Sequence, residues 1–322
     1  MKMRNILVHS PAKINLGLAV LGARSDGYHE VEIVTQQVSL SDTILFEAHR
    51  GGIEFSCHGD ELPLDRSNLV VAAAESLRRR ARIPLGARIT LTKRIPVAAG
   101  LGGGSSNAAA TLVGLNSLWN LGLSRADLAK IGASLGCDVP FFLGEPTALA
   151  RGKGDCIEPL PPPPDHWLVI ANPGFPVSTK WAYNNVGKIN LTCPDKRIRL
   201  LLLVLRNGDL KGLSRYIFNA LEPVTGAAHP EITTMKKDLV REGALAALMS
   251  GSGPSVFGIF GTQAAARRAA ARLRGRGWKL FVSRPLTASP LLQIHEEAVK
   301  GGKRLVRASG KAAPLSAGRR AA

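Results

Sequence analysis

The chain has 322 residues, 45% hydrophobic and 20% charged, a globular balance that buries a full core. Its longest aliphatic run, Leu200 to Leu205, is far short of the roughly 20 apolar residues that a bilayer requires, and the N-terminus has no apolar stretch of the signal-peptide kind; with four widely spaced cysteines in neither a metal-ligand nor a disulfide pattern, a cytoplasmic, reduced protein without a membrane partner is expected. The formal charge of +18 suggests nucleic acid, but seven Lys or Arg lie in Lys300–Arg320 and no aromatic residues interleave with the basic ones, so a solvated arginine-rich surface is expected and no nucleic-acid partner.

In chain order, short apolar strands are expected at Ile6–Val8, Ile14–Val20 and Thr43–Phe46. Within the second, Lys13 and Asn15 fall on one face, opposite Ile14 and Leu16, where polar residues are ordinarily just solvated. A helix capped by Ser67 carries Leu69, Val70, Ala73 and Leu77 at helical spacing. A strand is predicted over Arg88–Ile95, followed by a glycine loop and a long helix from Ser105 to about Trp119. Four consecutive prolines, Pro161–Pro164, forbid helix and strand interior. They divide the chain into a first domain, 1–160, and a second, 166–285. The second reads as α+β with an antiparallel sheet: strands at Trp167–Ala171, Leu245–Met249, Ser255–Phe260 and Trp278–Ser283, and an amphipathic helix over Gln263–Arg274. Residues 286–322 form a basic tail expected to be flexible, small and glycine-rich from about Gly301 onward.

Three stretches carry chemistry. The strongest is Pro96-Val97-Ala98-Ala99-Gly100-Leu101-Gly102-Gly103-Gly104-Ser105-Ser106-Asn107. Such a loop points several backbone N–H groups at one place, and the following helix N-terminus adds partial positive charge, so phosphate is the expected guest. It is not a P-loop, because no Gly-Lys-Ser/Thr closes it; nor is it a dinucleotide fingerprint, because serine stands at 105 where the third glycine would fall. The second is Pro11–Gly17 with Asp26-Gly27-Tyr28-His29 beyond it. The third, Ser250-Gly251-Ser252-Gly253-Pro254-Ser255, is accounted for as well by a tight hairpin loop as by a site. A smaller feature, Cys137-Asp138-Val139-Pro140, puts an aspartate among apolar residues, either as a turn former or as a carboxylate that handles a proton.

Taken together and in this order, these segments resemble the superfamily of galactokinase, homoserine kinase, mevalonate kinase and phosphomevalonate kinase, from Ser10 to about Phe260. The strings Pro11–Leu16, Asp26–His29, Gly100–Asn107, Asp138–Phe142 and Met249–Ser255 are most similar to the branch whose acceptor carries a cytidine diphosphate and feeds isoprenoid-precursor synthesis. The resemblance implies an α+β fold of two domains, the N-terminal one like domain 2 of ribosomal protein S5 and the C-terminal one ferredoxin-like, with the active site in the cleft between them. It implies ATP as phosphoryl donor with Mg²⁺ accompanying it, Asp138 as acceptor of the hydroxyl proton, and Lys13 beside it stabilising negative charge in the transition state. The run Pro96–Ser106 would hold the triphosphate and Asn68 would contact adenine. Tyr28 and His29 match the family's cytosine-recognition segment and Asn15 its acceptor-side strand; Tyr183 is a second stacking ring or a core residue, with Trp181 nearby as the alternative. Where the family often has Asn-Asp-Leu-Glu, this chain has Asn219-Ala220-Leu221-Glu222. Two other readings stay open at this point: a sister kinase acting on mevalonate, homoserine or a sugar, against which Tyr28-His29 argues, and a basic nucleic-acid-binding module, which leaves the glycine loop without a purpose.

Overall fold

The computed structural model describes residues 4–82, 84–186, 194–292, 295–300 and 303–305. Its first feature is a hairpin of two long antiparallel strands, β1 (Arg4–Ala23) and β2 (His29–His49). The three short strands expected here are stretches of these two, bent rather than broken. Register shifts at Pro11/Ala12, Asn15/Gly17 and Val20/Gly22 mark the bends, and Pro11 sits at the first of them, where a missing N–H does not interrupt a regular ladder. After β3 (Ile53–His58) and α1 (Leu69–Ala81), β4 (Gly86–Thr92) joins β2 antiparallel and β3 parallel. Then come α2 (Gly103–Leu118), α3 (Arg125–Ala133), the single turn α4 (Val139–Phe142), and a hairpin of β5 (Thr147–Arg151) and β6 (Cys156–Pro159) that continues the sheet from β2.

Past the prolines, β7 (Trp167–Asn172) starts a second sheet. The helices α5 (Thr179–Val186), α6 (Pro194–Arg206) and α7 (Leu210–Tyr216) follow, then the two-residue β8 (Phe218–Asn219), α8 (Glu222–Ala228), α9 (Pro230–Arg241), β9 (Ala246–Met249), β10 (Val256–Phe260), α10 (Gln263–Leu273) and β11 (Lys279–Ser283). The four-stranded sheet has the order β11-β7-β10-β9, every pair antiparallel. Numbering its strands by sequence gives 4-1-3-2, the split βαβ arrangement of a ferredoxin-like unit. The α+β architecture is the one the resemblance implies.

Two expectations are corrected. The cap of α1 is Asn68, not Ser67: its side chain accepts from the N–H of Val70 at 2.9 Å, while Ser67 bonds to Asp65. The segment expected to be a flexible tail contributes β12 (His295–Lys300), antiparallel to β1 with Arg4 opposite Ala298, and β13 (Lys303–Leu305) beside it. The backbone of β1 has an open edge there that receives the strand. Earlier in the same segment, Leu286 N–H donates to Gln37 O at 2.9 Å and Leu291 is buried; residues 306–322 lie outside the described residues.

β1 holds the molecule together because it threads three hydrophobic clusters. Ile6 and Val8 pack with Ile44, Phe46, Ile89 and the helices α1 and α2. Ala12, Ile14 and Leu16 meet one face of the second sheet through Leu168, Ile170 and Phe257. Leu18 and Val20 reach Val169, Val256 and the helices on its other face. Fully burying one such aliphatic side chain is worth about 1.5–3 kcal/mol. A strand anchored in all three clusters is therefore a rigid base for the polar residues it also carries, Lys13 and Asn15. Close approach of α2 depends on Gly114, where a Cβ would lie 2.3 Å from the ring of Phe46.

Candidate active site

A cleft of about 1030 Å³ opens where the two sheets meet. The whole run Pro96 to Ser105 lines it, with Lys13, Asn15, Tyr28, His29, Asn68, Asp138 and Tyr183. Ser106 and Trp181 do not. The Ser106 side chain is fully buried and its hydroxyl accepts from Ser10 Oγ at 2.7 Å, so it faces the core side of the helix. Trp181 is 38% exposed and stands edge-on to His229, away from the cleft.

The glycine loop gets its shape from positive-φ residues and from close contacts. Gly100 and Gly102 have φ of 74° and 67°, and Ala98 shares the left-handed region at 50°. A Cβ on Gly100 would lie 2.1 Å from the carbonyl oxygen of Ser250, and one on Gly102 would lie 2.9 Å from Lys13 Cγ. Only glycine satisfies both demands at either place. Gly102 is the N-cap of α2 with no side-chain cap bond, so the first turn of the helix directs its N–H groups and the positive end of its dipole toward the cleft.

Behind the loop lies a buried charged network. Asp42, fully buried, accepts from the N–H groups of Arg94 and Ile95 at 2.7 and 2.9 Å and pairs with Lys93 Nζ at 2.5 Å. Asn107 donates from Nδ2 to Asp42 and to Ser10, both at 2.9 Å. Every polar atom of Asp42 is thereby engaged, as a buried carboxylate requires, and the network clamps the end of β4 to the start of α2.

Lys13 donates to Asn15 Oδ1 at 2.8 Å and lies 3.9 Å from Asp138 Oδ2. Lys13 is buried and the Asp138 side chain is 47% exposed, so the ammonium is held from below while the carboxylate faces the open cleft. Asp138 immediately precedes α4, whose Val139, Phe141 and Phe142 are buried; the apolar turn fixes the carboxylate at the rim. The backbone N–H of Lys13 also donates to Leu101 O at 2.9 Å, which ties β1 directly to the glycine loop.

At the other end, the rings of His29 and Tyr183 approach to 5.4 Å between centroids, tilted by 36°. Burial pushes the Tyr183 hydroxyl well above its ordinary range, with the charge of Asp138 as the next cause, so this ring stays neutral and presents an apolar surface. Tyr28 is 52% exposed at the tip of the β1–β2 hairpin, and Lys153 Nζ stands 5.3 Å from its ring centre. Asn68 lines the cleft, its side chain accepting from Val70 N–H and donating to Pro63 O, both at 2.9 Å.

Lys93 and Lys153 are two cationic residues of the cleft that the sequence alone did not single out. Lys93 falls in the expected strand 88–95 beside the charged Arg94, and nothing in the sequence marks it as buried. Lys153 had one faint signal, its place between Gly152 and Gly154 at the tip of the β5–β6 hairpin, both with positive φ.

Two family models match the chain: the N terminal domain of the GHMP kinases over residues 68–145 and the GHMP kinases C terminal over 201–279. The fold is thus that of the GHMP kinases. The 4-diphosphocytidyl-2-C-methyl-D-erythritol kinase of Bacillus mycoides is 47% identical over 79% of this chain and 88% of its own length, and that of Pelotomaculum thermopropionicum is 47% identical over 85% and 95%. A crystal structure of 4-(cytidine 5'-diphospho)-2C-methyl-D-erythritol kinase superposes with a TM-score of 0.74 at 35% identity, covering 87% of this chain and 98% of that one. The chain belongs to the 4-diphosphocytidyl-2-C-methyl-D-erythritol kinase family. Homoserine kinase from Cytophaga hutchinsonii, at a TM-score of 0.72 and 24% identity over 88% of this chain and 95% of its own, shares the fold.

Proposed function

We propose that this chain transfers the γ-phosphoryl group of ATP to the 2-hydroxyl of 4-diphosphocytidyl-2-C-methyl-D-erythritol, giving the 2-phosphate, a step of the methylerythritol phosphate route to isoprenoid precursors. One observation carries this reading: a single cleft holds the glycine loop and the Tyr28, His29 and Tyr183 cluster, with Lys13 and Asp138 linking them. Lys13 rests against Gly102, and Asp138 and Tyr183 line the same cleft.

Phosphoryl transfer asks for positioning and charge neutralisation more than for covalent chemistry by the protein. In this reading the loop 96–105 and the N-terminus of α2 hold the triphosphate. Asp138 accepts the proton of the acceptor hydroxyl as the phosphoryl group arrives, and Lys13, fixed by Asn15, stabilises the charge that builds on the transferring oxygens. Among the described residues, Asp138 is the sole carboxylate lining the cleft, and no group of three or more His, Cys, Asp or Glu gathers to hold an ion. That donor set fits a Mg²⁺ ion brought by ATP, which would keep mostly phosphate and water ligands and would be held on the protein side by Asp138 and the Ser105 hydroxyl. Bound there, it would supply charge neutralisation at the phosphates.

Tyr28 offers a flat face for the cytosine of the acceptor, and the His29–Tyr183 pair walls the pocket beside it; stacking of this kind is worth about 1–3 kcal/mol per base. The test is an ADP-coupled assay with a panel of alcohols. Turnover with the cytidine-bearing methylerythritol, and little with mevalonate or homoserine, is expected; equal turnover of all three would overturn the substrate assignment.

A further inference from the structure

The segment Asn219-Ala220-Leu221-Glu222 takes no part in the chemistry above, yet its polar side chains are turned inward and bonded. Asn219 is buried at the end of β8, which runs parallel to β1 with Asn219 opposite Leu18, and the N–H of Ala220 donates to Leu18 O at 2.9 Å. This fastens the segment to the strand that carries Lys13 and Asn15. The Asn219 amide then reaches across to the second glycine loop. Its Nδ2 donates to Met249 O at 2.8 Å and to Gly251 O at 2.7 Å, and its Oδ1 accepts from Leu221 N–H at 2.9 Å.

Its neighbours hold the same loop. Glu222 Oε2 accepts from Met249 N–H at 2.8 Å while Oε1 pairs with Lys236, and Thr225 Oγ1 donates to Ser252 O at 3.2 Å. On its far side, this loop rests on the phosphate loop. Ser250 Oγ donates to Gly100 O at 2.9 Å, and Ser255 N–H donates to Ala99 O at 3.3 Å. A Cβ on Gly251 would lie 3.1 Å from Gly100 O and 3.4 Å from Asn15 Oδ1. The contacts thus run from Asn219 to Gly251, and from Gly251 to both Gly100 and Asn15.

We propose that Asn219 is a positioning residue for phosphoryl transfer: by gripping Met249 and Gly251 it sets the second glycine loop at the height that aligns the phosphate loop with the acceptor strand. It touches neither substrate. Asparagine suits the task because two carbonyl oxygens need two N–H donors from one planar group. Aspartate has the same shape but turns an oxygen toward two oxygens, and serine cannot serve both. A misplacement of about 1 Å far from the reacting atoms can cost about 10²-fold in rate.

The inference rests on the kinase reading above, so the experiment has one readout that needs the acceptor and one that does not. Asn219→Asp and Asn219→Ser are compared with the parent and with Leu273→Ala, a core truncation on α10 that lowers stability away from the loops. The expected result for either Asn219 variant is a kcat, per molecule of folded enzyme, at least about tenfold lower with KM for ATP within about threefold. Leu273→Ala should keep the parent kcat. Hydrogen exchange, measured without any acceptor, should quicken in peptides covering 96–104 and 249–255 in the Asn219 variants only. Failure of the parent to use the acceptor would sink the substrate reading and leave exchange to judge Asn219. Unchanged exchange at 96–104, or a kcat loss that Leu273→Ala shares at matched melting temperature, would overturn the proposal.

Discussion

The two glycine loops of this molecule, 100–105 and 250–255, lie against each other and are built for opposite ends. The first keeps its helix N-terminus without a side-chain cap and turns its backbone into the cleft. The second touches the cleft through Gly251 and Ser252, but the carbonyls of these two residues are taken up by Asn219 and Thr225, while the Ser255 hydroxyl accepts from Asn172 Nδ2 at 3.0 Å. Glycine richness alone therefore does not mark a ligand site; what does is whether the polar groups of the loop are spoken for. The open loop is the one that can give its N–H groups to a phosphate, and the satisfied loop is the shelf on which it rests.

The largest effect should come from the groups that face the open loop. Asp138→Asn removes the carboxylate while preserving shape, and a general base is worth about 10²- to 10⁴-fold in rate. Turnover of a folded variant within about threefold of the parent would remove Asp138 from that role. Lys13→Ala should cost a comparable factor in kcat, and binding of an ATP analogue should survive both changes better than turnover does.

Next comes the contact between the loops. Gly100→Ala adds a left-handed alanine, about 1–2 kcal/mol, and drives its Cβ into Ser250 O, so both melting temperature and kcat/KM for ATP should fall. Gly122→Ala is the control: its φ of 67° is similar but nothing lies within 4 Å of the added carbon. It should show the conformational cost alone, with activity retained. Equal losses in the two variants would mean that the loops do not depend on each other.

The loops were legible to different degrees, for physical reasons. The first could be read because its four glycines in five residues exceed what a cap needs; strand parity put Lys13 and Asn15 on one face, but only the family resemblance gave them a role. The inward turn of Ser106 could not, since adjacent hydroxyls at a helix start differ only in helical phase. Asp42 and Lys93 went unmarked because their burial depends on each other, at positions 51 residues apart. The contact of Tyr183 with His29, and the bonds of Asn219 to the second loop, join segments that only the tertiary fold brings together. The β12 strand was missed because its partner is the edge of β1, at the opposite end of the chain.

A smaller effect is expected at the crossing from the first sheet to the second. His166 is 1% exposed, and its Nδ1 lies 2.7 Å from Pro164 O. Burial pushes its imidazole below the ordinary value of 6.5. As pH falls, the unfolded chain takes up this proton before the folded one does, so the contribution is present above about pH 6.5 and is lost below it. Between about pH 7.5 and 5.5 the parent's melting temperature should drop more than that of His166→Gln. Parallel curves would show that His166 carries none of the pH dependence.

The central claim is that one cleft joins a phosphate loop to a pocket that reads cytidine, and a comparison of acceptors tests it most directly. The ratio of kcat/KM for 4-diphosphocytidyl-2-C-methyl-D-erythritol to that for methylerythritol phosphate, which lacks the nucleotide, is measured in the parent and in Tyr28→Ala. A large ratio in the parent, falling about 10- to 100-fold in the variant through KM of the acceptor with KM for ATP unchanged, is the predicted result. A parent that uses both acceptors equally, or a ratio indifferent to Tyr28, would contradict it.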